Sequence, residues 1–286
     1  MNYLKHFGLR ELPFGITPDT SYFFACRSIQ EALNTLLVAV GNGEGFIKIT
    51  GEVGTGKTLL CRKFLSTLSP SWVSAYIPNP NLDPRALVLA LADELGVPGE
   101  STGPHRLEKE LMQRLLDLAR QGKRVVLCMD ETQAMPLATL ETVRLLTNLE
   151  TEKRKLMQVV LFGQPELDRN LASESVRQLR QRITFQYVLK ALGRKEVADY
   201  VAHRLTIAGY SGEALFTNRA LSELHAASRG VPRLVNILAH KSLLTLYGEG
   251  GRQAERRHVR SAIEDTPSAR ARWWWWSRPR PTSALN

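Results

Sequence analysis

The stretch that most constrains this chain is Gly51-Glu52-Val53-Gly54-Thr55-Gly56-Lys57-Thr58, a complete G-x-x-x-x-G-K-[ST] run. Ahead of it lies the apolar segment Phe46-Ile47-Lys48-Ile49, which reads as a short buried strand. Behind it Leu60, Phe64 and Leu68 recur at helical spacing. Strand, glycine-rich turn and helix in that order are the context that gives the motif its meaning as a phosphate-binding loop. Glycines let the backbone curl until successive N–H groups face one anion, and the start of a helix adds unpaired donors and a positive dipole end. Residues Gly51 to Leu59 are therefore the expected nucleotide-phosphate cradle. Lys57 would reach the β- and γ-phosphates of ATP, and the Thr58 hydroxyl would ligate Mg²⁺.

A second feature belongs with the first. Val125-Val126-Leu127-Cys128-Met129 reads as an apolar strand and ends in Asp130-Glu131. In phosphoryl chemistry the first acid would hold Mg²⁺, partly through water, and the second, Glu131, would polarise the attacking water. Further strands are read at Trp72–Ile77, at 156–162 and at Ile183–Leu189, with helices between them from Ser28 on, after Asp83-Pro84, over 105–121 and over 137–149. Residues 1–27 read as an irregular entry. Alternating strands and helices predict an α/β fold with a parallel sheet covered by helices on both faces.

The strand at 156–162 runs into Gly163-Gln164-Pro165. There Gln164 is either a polar group that touches the γ-phosphate or the attacking water or a turn residue ahead of a proline, and the residues alone do not decide. Before the last strand stands Arg177-Gln178-Leu179-Arg180-Gln181-Arg182. This basic segment either presents an arginine finger to a neighbouring subunit or is a solvated turn. After Gly193 the periodicity becomes purely helical, with helices carrying Val197, Val201 and Leu205, then Leu221 and Leu224, then Leu234, Ile237 and Leu238. This predicts an α/β domain over residues 1–190, a small all-helical lid over 191–266 and a basic tail, without regular structure, over 267–286. Arg233, after Gly230-Val231-Pro232, would reach the nucleotide from the lid.

Net charge is +10, and half of it arises from Arg252 onward, where eight arginines face three carboxylates. The tail contains Arg270-Ala271-Arg272-Trp273-Trp274-Trp275-Trp276-Ser277-Arg278-Pro279-Arg280. Adjacent indoles flanked by arginines suit the interface of an anionic membrane, so a peripheral lipid contact through Arg270–Arg280 is expected. No apolar run reaches the roughly 18 residues of a membrane-spanning helix, and the N-terminus lacks a signal-type apolar region. Cys26, Cys61 and Cys128 are scattered and read as reduced, small hydrophobic groups. Together these predict a cytoplasmic protein, peripheral at most on a membrane.

With these residues assembled, the chain resembles an AAA+ ATPase family, that of general secretion pathway protein A and its shorter relative in mannose-sensitive haemagglutinin pilus biogenesis. The likeness is carried by Phe7-Gly8-Leu9 with Pro13-Phe14 and Pro18-Asp19, by Gly51–Thr58, by Asp130-Glu131-Thr132-Gln133 and by Leu145-Leu146-Thr147-Asn148-Leu149-Glu150. It continues through Gly163-Gln164-Pro165-Glu166-Leu167, Gln178-Leu179-Arg180-Gln181-Arg182-Ile183 and Gly230-Val231-Pro232-Arg233-Leu234-Val235-Asn236, so it spans roughly residues 1–265. The resemblance implies ATP and Mg²⁺ as ligands, a homo-oligomeric ring or arc, and a role in assembling a type IV pilus or type II secretion apparatus at the bacterial inner membrane, with a partner there. It implies a sensor role for Gln164, the arginine finger at Arg182 with Arg180 as second choice, and a second sensor at Arg233. Thr132 and Ile29 depart from the pattern, standing where Ala and His are usual. Larger relatives add a membrane span and a peptidoglycan-binding domain, which this chain is expected to lack, and this favours the short pilus type. Transposition-regulating ATPases share the same core and bind DNA, so a DNA-associated ATPase is the alternative reading.

Overall fold

The computed structural model describes residues 2–97, 104–148, 150–151 and 154–270. It divides into two compact units, Arg27–Lys190 and Met1–Cys26 with Ala191–Asn286. The chain opens with helix α1 (Asn2–Phe7) and a 3-10 turn (Thr20–Tyr22), where the sequence reads as irregular entry.

The first unit, Arg27–Lys190, then runs through α2 (Arg27–Gly41), β1 (Phe46–Thr50), α3 (Lys57–Thr67), β2 (Trp72–Ile77), α4 (Pro84–Glu94), α5 (Pro104–Arg120) and β3 (Arg124–Met129). A 3-10 turn (Thr132–Ala134) leads to α6 (Leu137–Leu146). The two-residue strands β4 (Glu150–Thr151) and β5 (Arg154–Lys155) follow, then β6 (Met157–Gly163), α7 (Glu166–Leu171), α8 (Arg177–Arg182) and β7 (Ile183–Val188). Five strands form one sheet in the order β2-β3-β6-β1-β7, every pair parallel. Burial follows position. Central β1 and β6 are buried at every residue, whereas edge strand β7 alternates between half-buried and exposed. On one face Val125, Leu127, Met129, Val159 and Leu161 join Leu87 and Leu91 of α4, Leu111 and Leu115 of α5, and Leu140 and Val143 of α6 in a continuous core. The alternate residues point the other way, toward α2 and α3, where Leu36, Leu60 and Phe64 are fully buried.

Two features of this unit invite a polar reading and are structural. Lys48, buried in the middle of β1, is ion-paired with Asp168 of α7, as a buried charge requires. Cys61 of α3 and Cys128 of β3 are both fully buried. Their mutual hydrogen bond and burial push the Cys61 thiol well up, so it stays protonated and packs as a small hydrophobe.

The other unit holds α1, α9 (Arg194–Ile207), α10 (Asn218–Ser228), α11 (Pro232–Gly248), α12 (Arg256–Glu264) and α13 (Pro267–Arg270). Residues 1–26, expected within the α/β domain, group instead with these helices. The reason is a set of aromatic and buried polar contacts. Tyr3 meets His240 and Tyr247 of α11 edge-on, and Phe14 meets Phe216. Buried Arg204 of α9 donates to the carbonyls of Pro13 and Gly15 and stacks 4.4 Å over Tyr22. Asn236 of α11 donates to Gly15 O at 3.0 Å and accepts from Tyr200. The entry segment buries Tyr3, Phe7, Leu9, Phe14 and Tyr22, aromatic and apolar groups that need a core to pack into. Helix α12 lies where the sequence shows mainly basic residues; it buries His258, Val259 and Ala262 on one side. The Trp-rich segment and the lipid contact expected through Arg270–Arg280 lie outside the described residues beyond Arg270.

Candidate active site

Adjacent strands β3, β6 and β1 deliver three segments side by side at their C-terminal ends, where open parallel sheets bind ligands. From β1 comes the loop Gly51–Gly56. Gly54 and Gly56 hold φ of 80° and 98°, a region open to glycine and costly for other residues. Gly56 caps α3, so Lys57 and Thr58 occupy its first turn. The loop is braced from within, Thr55 Oγ1 donating to Glu52 O at 2.8 Å. It is tied to β6 by the Gly51 N–H to Gly163 O bond. A Cβ on Gly51 would stand 2.8 Å from Thr55 Oγ1 and 3.0 Å from Leu189 Cβ, so glycine is needed there for space.

Lys57 is buried, and its Nζ donates to Gly51 O at 2.8 Å and Glu52 O at 3.0 Å, which aims the ammonium along the loop. Burial pushes it below the usual lysine range, opposed by the carboxylates of Glu131 and Asp130. Asp130, at the end of β3, accepts from Thr58 Oγ1, and its Oδ1 accepts the Glu131 N–H at 2.9 Å. Burial raises the Asp130 carboxyl, countered by those two hydrogen bonds. A hydroxyl and a carboxylate in direct contact form the hard oxygen donor pair that Mg²⁺ takes, and they meet where the phosphate loop ends, so these residues fit that ion.

Glu131 follows with φ 53° and ψ 34°, a left-handed backbone that costs a non-glycine residue about 1–3 kcal/mol and is commonest at functional sites. Its Oε2 accepts from Gln133 Nε2 and, at 3.0 Å, from Gln164 Nε2. Burial acts to raise this carboxyl. The two amide donors and the Lys57 charge outweigh it and hold Glu131 below the ordinary glutamate range, as befits a carboxylate kept ionised. Thr132, the departure from the family pattern, is fully buried and donates to Phe162 O at 2.8 Å, tying β3 to β6 just beneath the acids.

Lys57, Thr58, Asp130, Glu131 and Gln164 are thus brought together. The side chain of Gln164 joins this group by donating to Glu131 Oε2. Arg182, at the end of α8, is held at the far end of α6, donating to Asn148 Oδ1 and, at 3.5 Å, to Thr147 Oγ1. Arg180 is exposed on the same short helix, and Arg233 is exposed in the first turn of α11 in the helical unit. Sequence reasoning passed over Gln133 and Asn170. The first stands in the Asp130–Gln133 string but was given no role there, and the second carries no local signal.

A protein-family model described as an AAA domain matches residues 40–171. General secretion pathway protein A of Aeromonas hydrophila is 42% identical over 249 residues, which is 87% of this chain and 45% of that protein, so the chain spans less than half the length of this curated relative. Among solved structures, Cdc6p of Pyrobaculum aerophilum matches with a TM-score of 0.67 at 18% identity, covering 86% of this chain and 70% of that one. The Aeropyrum pernix ORC2 protein matches at 0.62 and 15%, covering 87% and 72%. The Thermotoga maritima RuvB Holliday junction branch migration motor matches at 0.58 and 17%, covering 89% and 73%. At such identities these three speak for the fold alone.

Proposed function

Because the chain belongs to the AAA+ ATPases of the general secretion pathway protein A family, we propose that it hydrolyses ATP with Mg²⁺ and couples the cycle to assembly of a secretion or pilus apparatus. One observation carries the chemistry: Lys57, the Thr58–Asp130 pair and the Glu131–Gln164 pair converge from three neighbouring strand ends. The N–H groups of Gly51 to Leu59 surround the phosphates and Lys57 supplies the facing charge. Thr58 and Asp130 would hold Mg²⁺, which when bound would supply positive charge against the charge developing on the phosphates. Glu131 takes the proton from the attacking water, and Gln164, bonded to the same carboxylate, senses the γ-phosphate. Arg182 completes the site of a neighbouring subunit, with Arg180 as the alternative, and Arg233 serves as a second sensor.

A homo-oligomeric ring or arc follows from a finger supplied in trans. The 42% identity to a protein named for the general secretion pathway supports the envelope role, and the pilus assignment rests on the resemblance to the shorter pilus-biogenesis type. Among the described residues no helix is long and apolar enough to cross a membrane. The proposed place is the cytoplasmic face of the inner membrane, with an assembly partner there and a peripheral lipid contact through the Arg270–Arg280 segment.

The test is turnover and nucleotide binding in two variants. Lys57→Ala is expected to lose tight ATP binding. Glu131→Gln is expected to bind ATP and to hydrolyse it about 10²–10⁴-fold more slowly, because the side chain keeps its shape and loses its basicity. Wild-type turnover by Glu131→Gln would remove Glu131 from this role. Stimulation of the wild-type rate by duplex DNA, with none by anionic liposomes, would favour the DNA-associated reading instead.

A further inference from the structure

We propose that Gln133 is a positioning residue for hydrolysis, an amide strut that fixes which oxygen of Glu131 meets the attacking water. The inference rests on the ATPase reading above and concerns a residue outside the loop, the acid pair and the sensors.

Gln133 lies in the 3-10 turn Thr132–Ala134, two residues past Glu131, and its side chain makes two bonds of opposite sense. Its Oε1 accepts the backbone N–H of Gln164 at 3.0 Å, and its Nε2 donates to Glu131 Oε2. The orientation of the amide is fixed by chemistry, because a backbone N–H only donates and a carboxylate only accepts. A flipped amide would set N–H against N–H and oxygen against oxygen. The main chain of Gln133 is anchored as well, its carbonyl accepting from Asn170 Nδ2 of α7 at 2.9 Å. One residue thus ties the end of β3 to the end of β6 and to α7, with the carboxylate of Glu131 at the tip.

The consequence is asymmetry at Glu131. Both amide donors, Gln133 Nε2 and Gln164 Nε2, land on Oε2. Among the described residues Oε1 has no such donor and is the oxygen turned to receive a proton. Gln164 alone would leave the carboxylate on a single bond to a side chain that must also respond to the γ-phosphate. Gln133 supplies the bond that does not depend on nucleotide, since its other end is held by backbone. A displacement of a reacting group by about 1 Å costs on the order of 10²-fold in rate, and loss of this strut releases such a displacement.

The experiment is a double-mutant cycle in steady-state and single-turnover ATP hydrolysis. Gln133→Ala is expected to lower kcat about 10- to 100-fold with the KM for Mg-ATP within about twofold. Gln133→Met keeps the stem and volume but lacks the amide; it is expected to show the same loss while binding fluorescent ADP as wild type does, which separates the role from a folding defect. In a Glu131→Gln background either change is expected to cost less than about twofold further, because Gln133 acts only through that carboxylate. Equal fractional losses in both backgrounds, or a kcat of Gln133→Met equal to wild type, would overturn the inference while leaving an active wild type and an inactive Glu131→Gln to uphold the ATPase reading. Absence of hydrolysis by wild type would overturn both.

Discussion

Gly56 has the most demanding backbone in the site, with φ at 98° where the loop turns into α3. Space is not the reason for glycine here: a Cβ would meet nothing nearer than Ile29 Cδ1 at 3.9 Å. The constraint is conformational, and placing an L side chain in a left-handed backbone costs about 1–2 kcal/mol. The turn sets the direction of the N–H groups that begin α3 and of the Lys57 stem that follows, so strain released there is released into the phosphate cradle. Gly56→Ala is therefore expected to weaken nucleotide binding by about tenfold, since 1.4 kcal/mol corresponds to that factor, while the protein stays folded. Titration with a fluorescent ATP analogue and a thermal melt measure the two quantities. Unchanged affinity would show that the cradle keeps its geometry without the left-handed turn. The same scale explains what the sequence could express about the site. Gly51–Thr58 and Asp130-Glu131 were legible because loop chemistry and strand-end acids are written contiguously. Gln133 and Asn170 were not, because their partners Gln164 N and Gln133 O are main-chain groups that only the sheet order brings near.

At the scale of elements, β1, β2, β3 and β6 were legible as mainly apolar runs of five to seven residues, β7 by its alternation, and helix α5 because Leu107, Leu111, Leu115 and Leu118 mark one face. Helix α12 was not. Its nine residues include Arg256, Arg257 and Arg260, and its N-terminus is capped through the His258 ring, which accepts the Glu255 N–H at 2.8 Å. Helix α1 was missed because six residues are too few for periodicity, and tertiary packing of Tyr3 and Phe7 sustains it. That packing has a titratable edge. His240 of α11 meets Tyr3 at 5.8 Å between ring centres, and burial pushes His240 below the ordinary histidine range. The unfolded chain, with its histidine near pH 6.5, then binds the proton more readily than the folded chain. The sign follows: the contribution of His240 is fully present above about pH 6.5 and is lost as pH falls from there through the folded value. Thermal melts at pH 7.5 and 5.5 are expected to separate more for wild type than for His240→Phe, which keeps an aromatic ring against Tyr3 and has no proton to gain. Equal separations in the two proteins would show that the ring carries no linked proton.

Arg182 is bonded to Asn148 and Thr147 within its own chain, so its use as a finger requires that bond to be exchanged for a phosphate of the neighbour. Fingers in trans contribute about 10³–10⁵ in rate in related chemistry. Activity per subunit is therefore expected to rise with protein concentration. Arg182→Ala is expected to bind ATP and turn over slowly, and mixing it with Lys57→Ala subunits is expected to restore part of the rate, since each supplies what the other lacks. A rate per subunit that stays flat on dilution would rule out a shared site. Trp273 to Trp276 stand together among Arg270, Arg272, Arg278 and Arg280. At a membrane interface an indole keeps its N–H wet and its ring in an apolar layer, and each nearby arginine adds about 1 kcal/mol of attraction to an anionic leaflet. Ala269 is buried against the helical unit and α13 runs to Arg270, so the truncation that spares the fold ends at Arg270. The full chain is expected to sediment with vesicles containing anionic lipid, less so as salt rises, and the truncated chain to remain in the supernatant with its ATPase rate unchanged. Equal sedimentation of the two would detach the tail from membrane binding. Loss of binding together with loss of hydrolysis would mean that the tail serves the catalytic module itself.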